Sequence, residues 1–557
     1  MHELTRRDFL KAAAAAAGGR HVIAAGRTAD ARDVLYNGIA LADPWPPRNR
    51  VLDEVLRDPP YLSDPPSVIP IDLGRQLLVD DFLVEESTLN RVFHRARYHP
   101  GNPILRPETA WELRDEYAER TNTPSNPAAM VFSDGVFYDT ADRTYKMWYM
   151  GGYQQQTCLA LSHDGVAWER PSLDVIRGTN IVYRDLRDSS TVWLDLADED
   201  PSRRYKMTSY NGSENGILLF ESADGIHWRR VGKTGPTGDR STMFWNPFRK
   251  VWVFSLRAEQ LGGAGRYRRY WESPDFASTR WREDEPTPWI KADLLDARRP
   301  EINTRAELYT LDCVAYESLF LGLFTIFRGE RDVREKPNDI CVGFSRDGFH
   351  WSRPDRRAFL GVSEHVGDWN WANVQSAGGC CLIVGDQLYF YVSGRRGRPG
   401  TNLPGVCSTG LATLRRDGFA SLTDAEPEGQ RRARRIAPGQ PAHAITTRPL
   451  RFSGQRLFVN AEMSAGELRA EVLDPNGRVL APFSCERCRP FSGDSTRREI
   501  SWDGGAPLGQ LRGEVVRLRF YVTRGHLFSF WVTDSPSGAS HGYVAAGGPG
   551  FSRATDD

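Results

Sequence analysis

The sequence predicts an all-β protein, a five-bladed β-propeller followed by a C-terminal β-sandwich. Three observations predict it. A Ser-x-Asp-Gly-x-x-Trp pattern is written three times, as S-H-D-G-V-A-W (162–168), S-A-D-G-I-H-W (222–228) and S-R-D-G-F-H-W (345–351). Alternating hydrophobic runs precede the copies, and the same unit recurs twice in weaker form, giving five units of roughly 50–70 residues. After residue 420 the texture changes to a polar stretch and then shorter strands.

From the N-terminus, T-R-R-D-F-L-K (5–11) and the alanines after it read as a twin-arginine export signal over 1–31. Its apolar part is broken by Gly18, Gly19, Arg20 and His21, which makes it too short and too polar to span a bilayer. The mature protein is then expected in the periplasm or outside the cell, without a membrane anchor. Residues 32–70 read as an N-terminal extension and 71–422 as the propeller. Its strand runs are Y-K-M-W-Y-M-G-G (145–152), R-Y-K-M-T-S-Y-N-G (204–212), K-V-W-V-F-S-L-R (250–257), L-F-L-G-L-F-T-I-F (319–327) and Q-L-Y-F-Y-V-S-G-R (387–395). The weaker repeats are E-S-P-D-F-A-S-T-R-W (272–281) and L-R-R-D-G-F (414–419).

Residues 423–445, rich in Glu, Arg, Pro and Gly, read as a linker. The sandwich follows over 446–535, with strands at 456–462, 467–474, 515–522 and 526–532 and a D-P-N-G hairpin at 474–477. The Gly- and Ser-rich residues 536–557 read as a loose, flexible tail.

The repeated motif has a structural logic. Asp-Gly makes a tight turn with Gly at positive φ, Ser and Asp side chains accept from exposed backbone N–H groups, and the aromatic residue packs beneath. Asp164, Asp224 and Asp347 are therefore turn pins rather than catalysts.

Composition narrows the function. The 72 basic and 72 acidic residues cancel, which argues against nucleic acid or an anionic membrane as partner. The 16 Trp, 19 Tyr and 26 Phe suit β-sheet cores and also sugar faces. The eight cysteines are too few for a disulfide framework. Cys485-x-x-Cys488 lacks a second ligand pair for zinc, leaving a local disulfide or two plain thiols.

Five blades and a sandwich, with H-P-G-N-P-I-L (99–105) and W-Y-M-G ahead of the first motif, resemble the five-bladed glycosidase superfamily. That superfamily holds invertase- and levanase-like enzymes, arabinanases, xylosidases and mannoside phosphorylases. The stretch from L-F-V-N-A-E (457–462) to L-F-S-F-W-V (527–532) is similar to the C-terminal module of the invertase-like branch, and the repeated turns resemble sialidase Asp-boxes. The resemblance implies a carbohydrate partner and a pair of carboxylates in the central funnel, one protonating the leaving oxygen and one acting as base or nucleophile.

The sequence departs from that pattern: S-N-P (125–127) puts Asn126 where the family places a blade-one aspartate. Counting back from each turn to the first strand of its blade selects Asp188, Asp239 and Glu307 as catalytic candidates, with Glu307 or Asp239 as proton donor and Asp188 orienting substrate or tuning pKa. Glu119, Arg120, Asn126 and Arg240 are expected to contact substrate, the two arginines at polar or anionic sugar groups. Trp369 and Trp371 are expected to stack on a sugar ring, with core packing the alternative for one of them, and Asn373 and Gln375 lie beside them. No cofactor is expected. A structural Ca2+ at the axis is implied only by arabinanase-like relatives, and the sequence has no dedicated loop for one. The resulting expectation is an exported glycoside hydrolase acting on a plant or algal oligo- or polysaccharide. A glycoside phosphorylase and a non-catalytic carbohydrate-binding propeller stand as alternatives.

Overall fold

The computed structural model describes residues 33–261, 265–329, 334–426, 441–505 and 507–557. The twin-arginine segment and most of the expected linker lie outside the described residues.

Five antiparallel sheets form the propeller. Blade one comprises Ala129–Asp139, Thr144–Gly151, Gln156–Ser162 and Ile181–Tyr183, and blade two Ser189–Leu194, Tyr205–Tyr210, Leu218–Ser222 and Arg229–Lys233. Blade three comprises Thr242–Asn246, Val251–Glu259, Arg266–Ser273 and Thr287–Lys291. Blade four is built from Glu307–Glu317, Leu319–Phe327 and Asn338–Ser345, with bridges from Phe344 to Ser352 and Ile340 to Leu360 marking its outer edge. In blade five Asn373–Ser376 and Leu382–Val384 share the inner position, followed by Gln387–Arg395 and Cys407–Arg415. Its outer strand comes from the N-terminal side of the chain: Arg97 and Tyr98 pair with Thr413 and Ala412. The ring is closed by a strand from before blade one, which removes an open edge.

The Asp-box turns form as expected and do more. In the first, Asp164 Oδ1 accepts from Val166 N and Ala167 N at 2.8 Å each, and Ser162 Oγ accepts from Gly165 N at 2.9 Å. The turns at 222–228 and 345–351 repeat this. Each is also gripped by the preceding blade. Tyr391 of blade five donates to Gly165 O, Trp148 of blade one to Gly225 O, and Trp289 of blade three to Phe349 O, at 2.6, 2.8 and 2.7 Å. Gly225 sits at φ 76°, and a Cβ there would lie 2.5 Å from the Trp148 ring, so both backbone and space require glycine. The pins therefore tie blade to blade as well as turn to sheet.

The sandwich differs from its expected boundaries. The strand runs expected at 456–462 and 467–474 are one continuous strand, Arg456–Leu473, which pairs with His526–Thr533 through its first half and Val515–Thr523 through its second. Strands at Gln76–Leu77, Val84–Ser87 and Asn90–Phe93, placed by the sequence in the propeller, pair here with sandwich strands and with Ala420–Thr423. Leu35, Ile39, Tyr61, Ile69, Leu78 and Phe82 pack in the sandwich core. Alternation marks these residues as strands but does not say which sheet they join. The expected hairpin at 474–477 is present, with Asp474 Oδ1 accepting from Asn476 N and Arg478 N.

The expected loose tail is built in. Tyr543 and Val544 pair with Glu317 and Tyr316 at the end of blade four's inner strand. Tyr138 N donates to Ala546 O, Ala546 N to Cys381 O and Ile383 N to Gly547 O, so the segment crosses blades one, four and five at that end of the axis. Its small residues let it lie flat on the inner strands.

A buried ionic joint fastens propeller to sandwich. Arg75 pairs with Asp417 at 3.0 Å and Glu317 at 3.4 Å, and Arg416 pairs with Glu317 at 2.8 Å and Asp556 at 3.1 Å. Asp417 also accepts from Tyr316, Ser529 and Asn460. It sits in the turn of the weak fifth repeat, but its carboxylate serves this joint instead of capping the turn. Cys485 and Cys488 are free thiols, as are the other six cysteines. No helix among the described residues is long and apolar enough to cross a membrane.

Candidate active site in the propeller funnel

The inner strands begin at the funnel mouth, and the residues just before or at their starts meet there. Asp188 precedes the inner strand of blade two. Its backbone N–H donates to Tyr210 O at 2.8 Å, and its neighbour Arg187 is locked against Asp134 of blade one at 2.5 and 3.1 Å, both side chains fully buried. This anchor fixes the loop that presents Asp188. Arg240 of blade three reaches Asp188 Oδ1 at 2.6 Å, while its own backbone N–H donates to Ser189 Oγ at 3.0 Å. Arg240 adopts φ 59°, a left-handed conformation that side-chain-bearing residues seldom take and that often marks a functional position.

Around this pair all five blades contribute. The Arg240 guanidinium lies 3.5 Å from the ring centroid of Phe132 (blade one) and 5.8 Å from that of Tyr309 (blade four). Arg395, ending the second strand of blade five, lies 5.3 Å from the Phe132 centroid and 5.6 Å from that of Tyr153. Arg395 pairs with Glu335 of blade four at 2.8 Å, both buried. Beneath, Arg268 donates to Tyr309 O at 2.6 Å and to Arg240 O. Burial, then the guanidinium groups of Arg257 and Arg240, bring Arg268 down to about 9. Tyr309 responds to the same field: burial raises its pKa, but Arg240, Arg395 and Lys336 outweigh burial and hold the phenol below its ordinary value.

Asp239 and Glu307 belong to a second group. Asp239 pairs with Arg257, Arg257 with Glu259, Glu259 with Arg266 at 3.7 Å and Arg266 with Glu307 at 2.8 Å. Glu307 also accepts from Arg266 N at 3.1 Å. This alternating chain runs along the rim of blade three to blade four. The side chains of Asp188, Asp239 and Glu307 remain 20%, 24% and 25% exposed, so each still meets solvent.

The other expected contacts divide. Asn126 is buried, donates to Asp115 Oδ2 and accepts from Gly405 N, so it fastens a loop to blade five. Glu119 lies on the short helix Glu116–Thr121 with Arg114 3.7 Å away, and Arg120 is exposed at its last turn; neither joins the Arg240 cluster. Trp369 packs across Gly394 and Gly410 and against Tyr98, so it fills blade five. Trp371 is buried, with Arg334 5.0 Å from its ring and donating to its carbonyl. Asn373 donates to Lys336 O at 2.7 Å and accepts from Gln375 at 2.9 Å, shaping the segment that delivers Glu335 and Lys336.

Sequence reasoning missed Phe132, Tyr153, Tyr309, Glu335 and Arg395. Tyr309 was within reach, two residues along the alternating strand from Glu307. Arg395 ends a recognised strand run, but nothing local shows that this end faces the funnel.

Deeper on the axis, Asp312 of blade four accepts from Ser376 of blade five at 2.5 Å and Ser133 of blade one at 3.2 Å. Burial pushes its carboxyl up to about 6 despite these hydroxyls. Among the described residues no group of three or more His, Cys, Asp or Glu is gathered to hold a metal. A cavity of about 510 Å³ lies at the other end of the axis, between the tail and blades one to four, with Phe137, Trp193, Trp245 and Val544 in its wall. None of the residues expected at the site lines it.

No family model and no curated protein matches the chain. Solved structures overlap it weakly. An N-acetylgalactosamine deacetylase from F. plautii is 14% identical with a TM-score of 0.37, covering 57% of this chain and 97% of its own. A thermostable family-43 glycoside hydrolase is 12% identical with a TM-score of 0.37, covering 56% and 98%. A fructofuranosidase from Schwanniomyces occidentalis is 13% identical with a TM-score of 0.34, covering 72% and 94%. At these values the overlaps carry no argument about chemistry, and the reading of the site stands on its geometry.

Proposed function

We propose that the chain is an exported O-glycosyl hydrolase that cleaves a plant or algal oligo- or polysaccharide in the propeller funnel. The observation that carries this reading is the convergence of all five blades on Asp188 and Arg240, a solvent-reached carboxylate held by an arginine beside aromatic rings. Glycoside hydrolysis needs two carboxyl groups flanking the bond. Asp188 serves as base or nucleophile, and Glu307 or Asp239, from the rim chain of ion pairs, protonates the leaving oxygen. Half-buried Tyr153 supplies aromatic surface a sugar ring packs on, while Phe132 and Tyr309 lie buried under the arginines.

The test is reducing-end release from a panel of plant and algal glycans. Asp188→Asn is expected to lower turnover about 10²- to 10⁴-fold, and one of Glu307→Gln and Asp239→Asn to do the same. Unchanged hydrolysis in all three variants sinks the assignment, and glycan binding without product makes the propeller a binding module. Export belongs to the same proposal. It is supported by Arg6 and Arg7 ahead of Phe9 and Leu10. Replacing both arginines with lysine is expected to leave the protein in the cytoplasmic fraction.

A further inference from the structure

Arg240 and Arg395 come from different blades, yet both guanidinium groups are held over the single Phe132 ring. Among the described residues each pairs with one carboxylate, Asp188 and Glu335. Arg240 Nε and Nη1 and Arg395 Nε and Nη2 are buried without a hydrogen-bond partner, and so is Glu335 Oε2. A buried charged donor left unsatisfied is costly, so two such groups over one ring point to a ligand that completes their hydrogen bonds. Arg268, buried beside them, donates to the carbonyls of Arg240 and Tyr309 and, among the described residues, pairs with no carboxylate. The adjoining chain of Asp239, Arg257, Glu259, Arg266 and Glu307 carries one carboxylate in excess, but at the outer rim, where Glu259 is 45% exposed. The buried Tyr309 phenol is held below its ordinary value by Arg240, Arg395 and Lys336.

We propose that Arg240 and Arg395 form an oxyanion subsite in the funnel, which takes the carboxylate of a uronic acid residue of the glycan or a phosphate group. Planar guanidinium groups match the oxygens of either ion bidentately, and burial among Phe132, Tyr153 and Tyr309 strengthens the attraction. A neutral sugar leaves the same N–H groups unsatisfied, so the subsite selects by charge. This rests on the preceding reading only in taking the funnel as the place where glycan enters.

The experiment is equilibrium binding to the full chain by calorimetry, with D-glucuronate, D-glucose and inorganic phosphate as separate probes. Glucuronate is expected to bind where glucose does not, with affinity falling as salt is raised. Arg240→Gln is expected to weaken binding about tenfold or more, and Arg240→Lys to restore part of it. Arg395→Gln leaves Glu335 without its partner, so the paired change Arg395→Gln with Glu335→Gln is used, and tryptophan fluorescence confirms folding. Phosphate binding with the same arginine dependence assigns the oxyanion to free phosphate rather than to the glycan. Equal binding of glucose and glucuronate, no binding of either anion, or indifference to Arg240→Gln overturns the subsite. Turnover is not read, so failure here leaves the Asp188→Asn test of hydrolysis intact.

Discussion

Asp312 carries a prediction that needs no substrate. Its native carboxyl titrates at about 6, against 3.8 for the unmodified side chain. The native state therefore holds a proton that the unfolded chain has already lost between those values, and stability falls as pH rises through that window. At pH 7 the ionised, buried carboxylate costs on the order of 3 kcal/mol. Asp312→Asn keeps an acceptor for Ser133 and Ser376 and removes the charge. It is expected to match the parent near pH 4 and to be the more stable above pH 6, measured by urea unfolding across pH 4–8. A parent-to-variant stability difference that does not grow between pH 4 and 7 would contradict this account.

At the scale of the element, the three Asp-box turns share one sequence but not one environment. Asp347 is buried, and its turn is held by Trp289 and packs Trp351 on Gly322. Asp164 is exposed in an otherwise equal turn. Asp347→Ala is expected to destabilise by about 2–3 kcal/mol and Asp164→Ala by about 1 kcal/mol, since only the buried turn loses acceptors that water cannot replace. Denaturant midpoints compare them directly. The turns were legible in the sequence because Ser, Asp and Gly act within six residues of one another. The grip of Trp148, Tyr391 and Trp289 on neighbouring turns was not, because those partners stand 60 to more than 200 residues away and meet only when the blades stack. The site divides in the same manner. Asp188 and Arg240 follow from counting strand starts, whereas Arg395 and Glu335 approach from second-strand and loop positions that have no local mark.

For the whole molecule, the joint of Arg75, Glu317, Arg416, Asp417 and Asp556 sets how propeller and sandwich respond together. Burial alone would raise Asp417, but Arg75 and Arg416, with the hydroxyls of Tyr316 and Ser529, hold it below the ordinary aspartate range. Its contribution is present above that range and lost as pH falls beneath it, so acid opens the joint. Asp417→Asn takes from buried Arg75 one of its two carboxylate partners and is expected to cost about 3–5 kcal/mol, read as a lowered thermal midpoint. Removing residues 541–557 takes away Asp556 together with the strand on blade four. That truncation is expected to lower the midpoint as well, whereas cutting a loose tail would leave it unchanged.

The closing strand has a consequence in time. Blade five is complete only when Tyr98 finds Ala412, and blade four only when Tyr316 finds Val544. Such pairings place the slowest step of folding after almost the entire polypeptide has been made, since loop closure over so long a span precedes its reward. A ribosome-bound chain can finish the sheets of blades one to three but not the ring. For a protein carried across a membrane already folded, as the twin-arginine proposal has it, assembly must be complete before departure, and refolding from urea is expected to be slow and concentrated in one late phase.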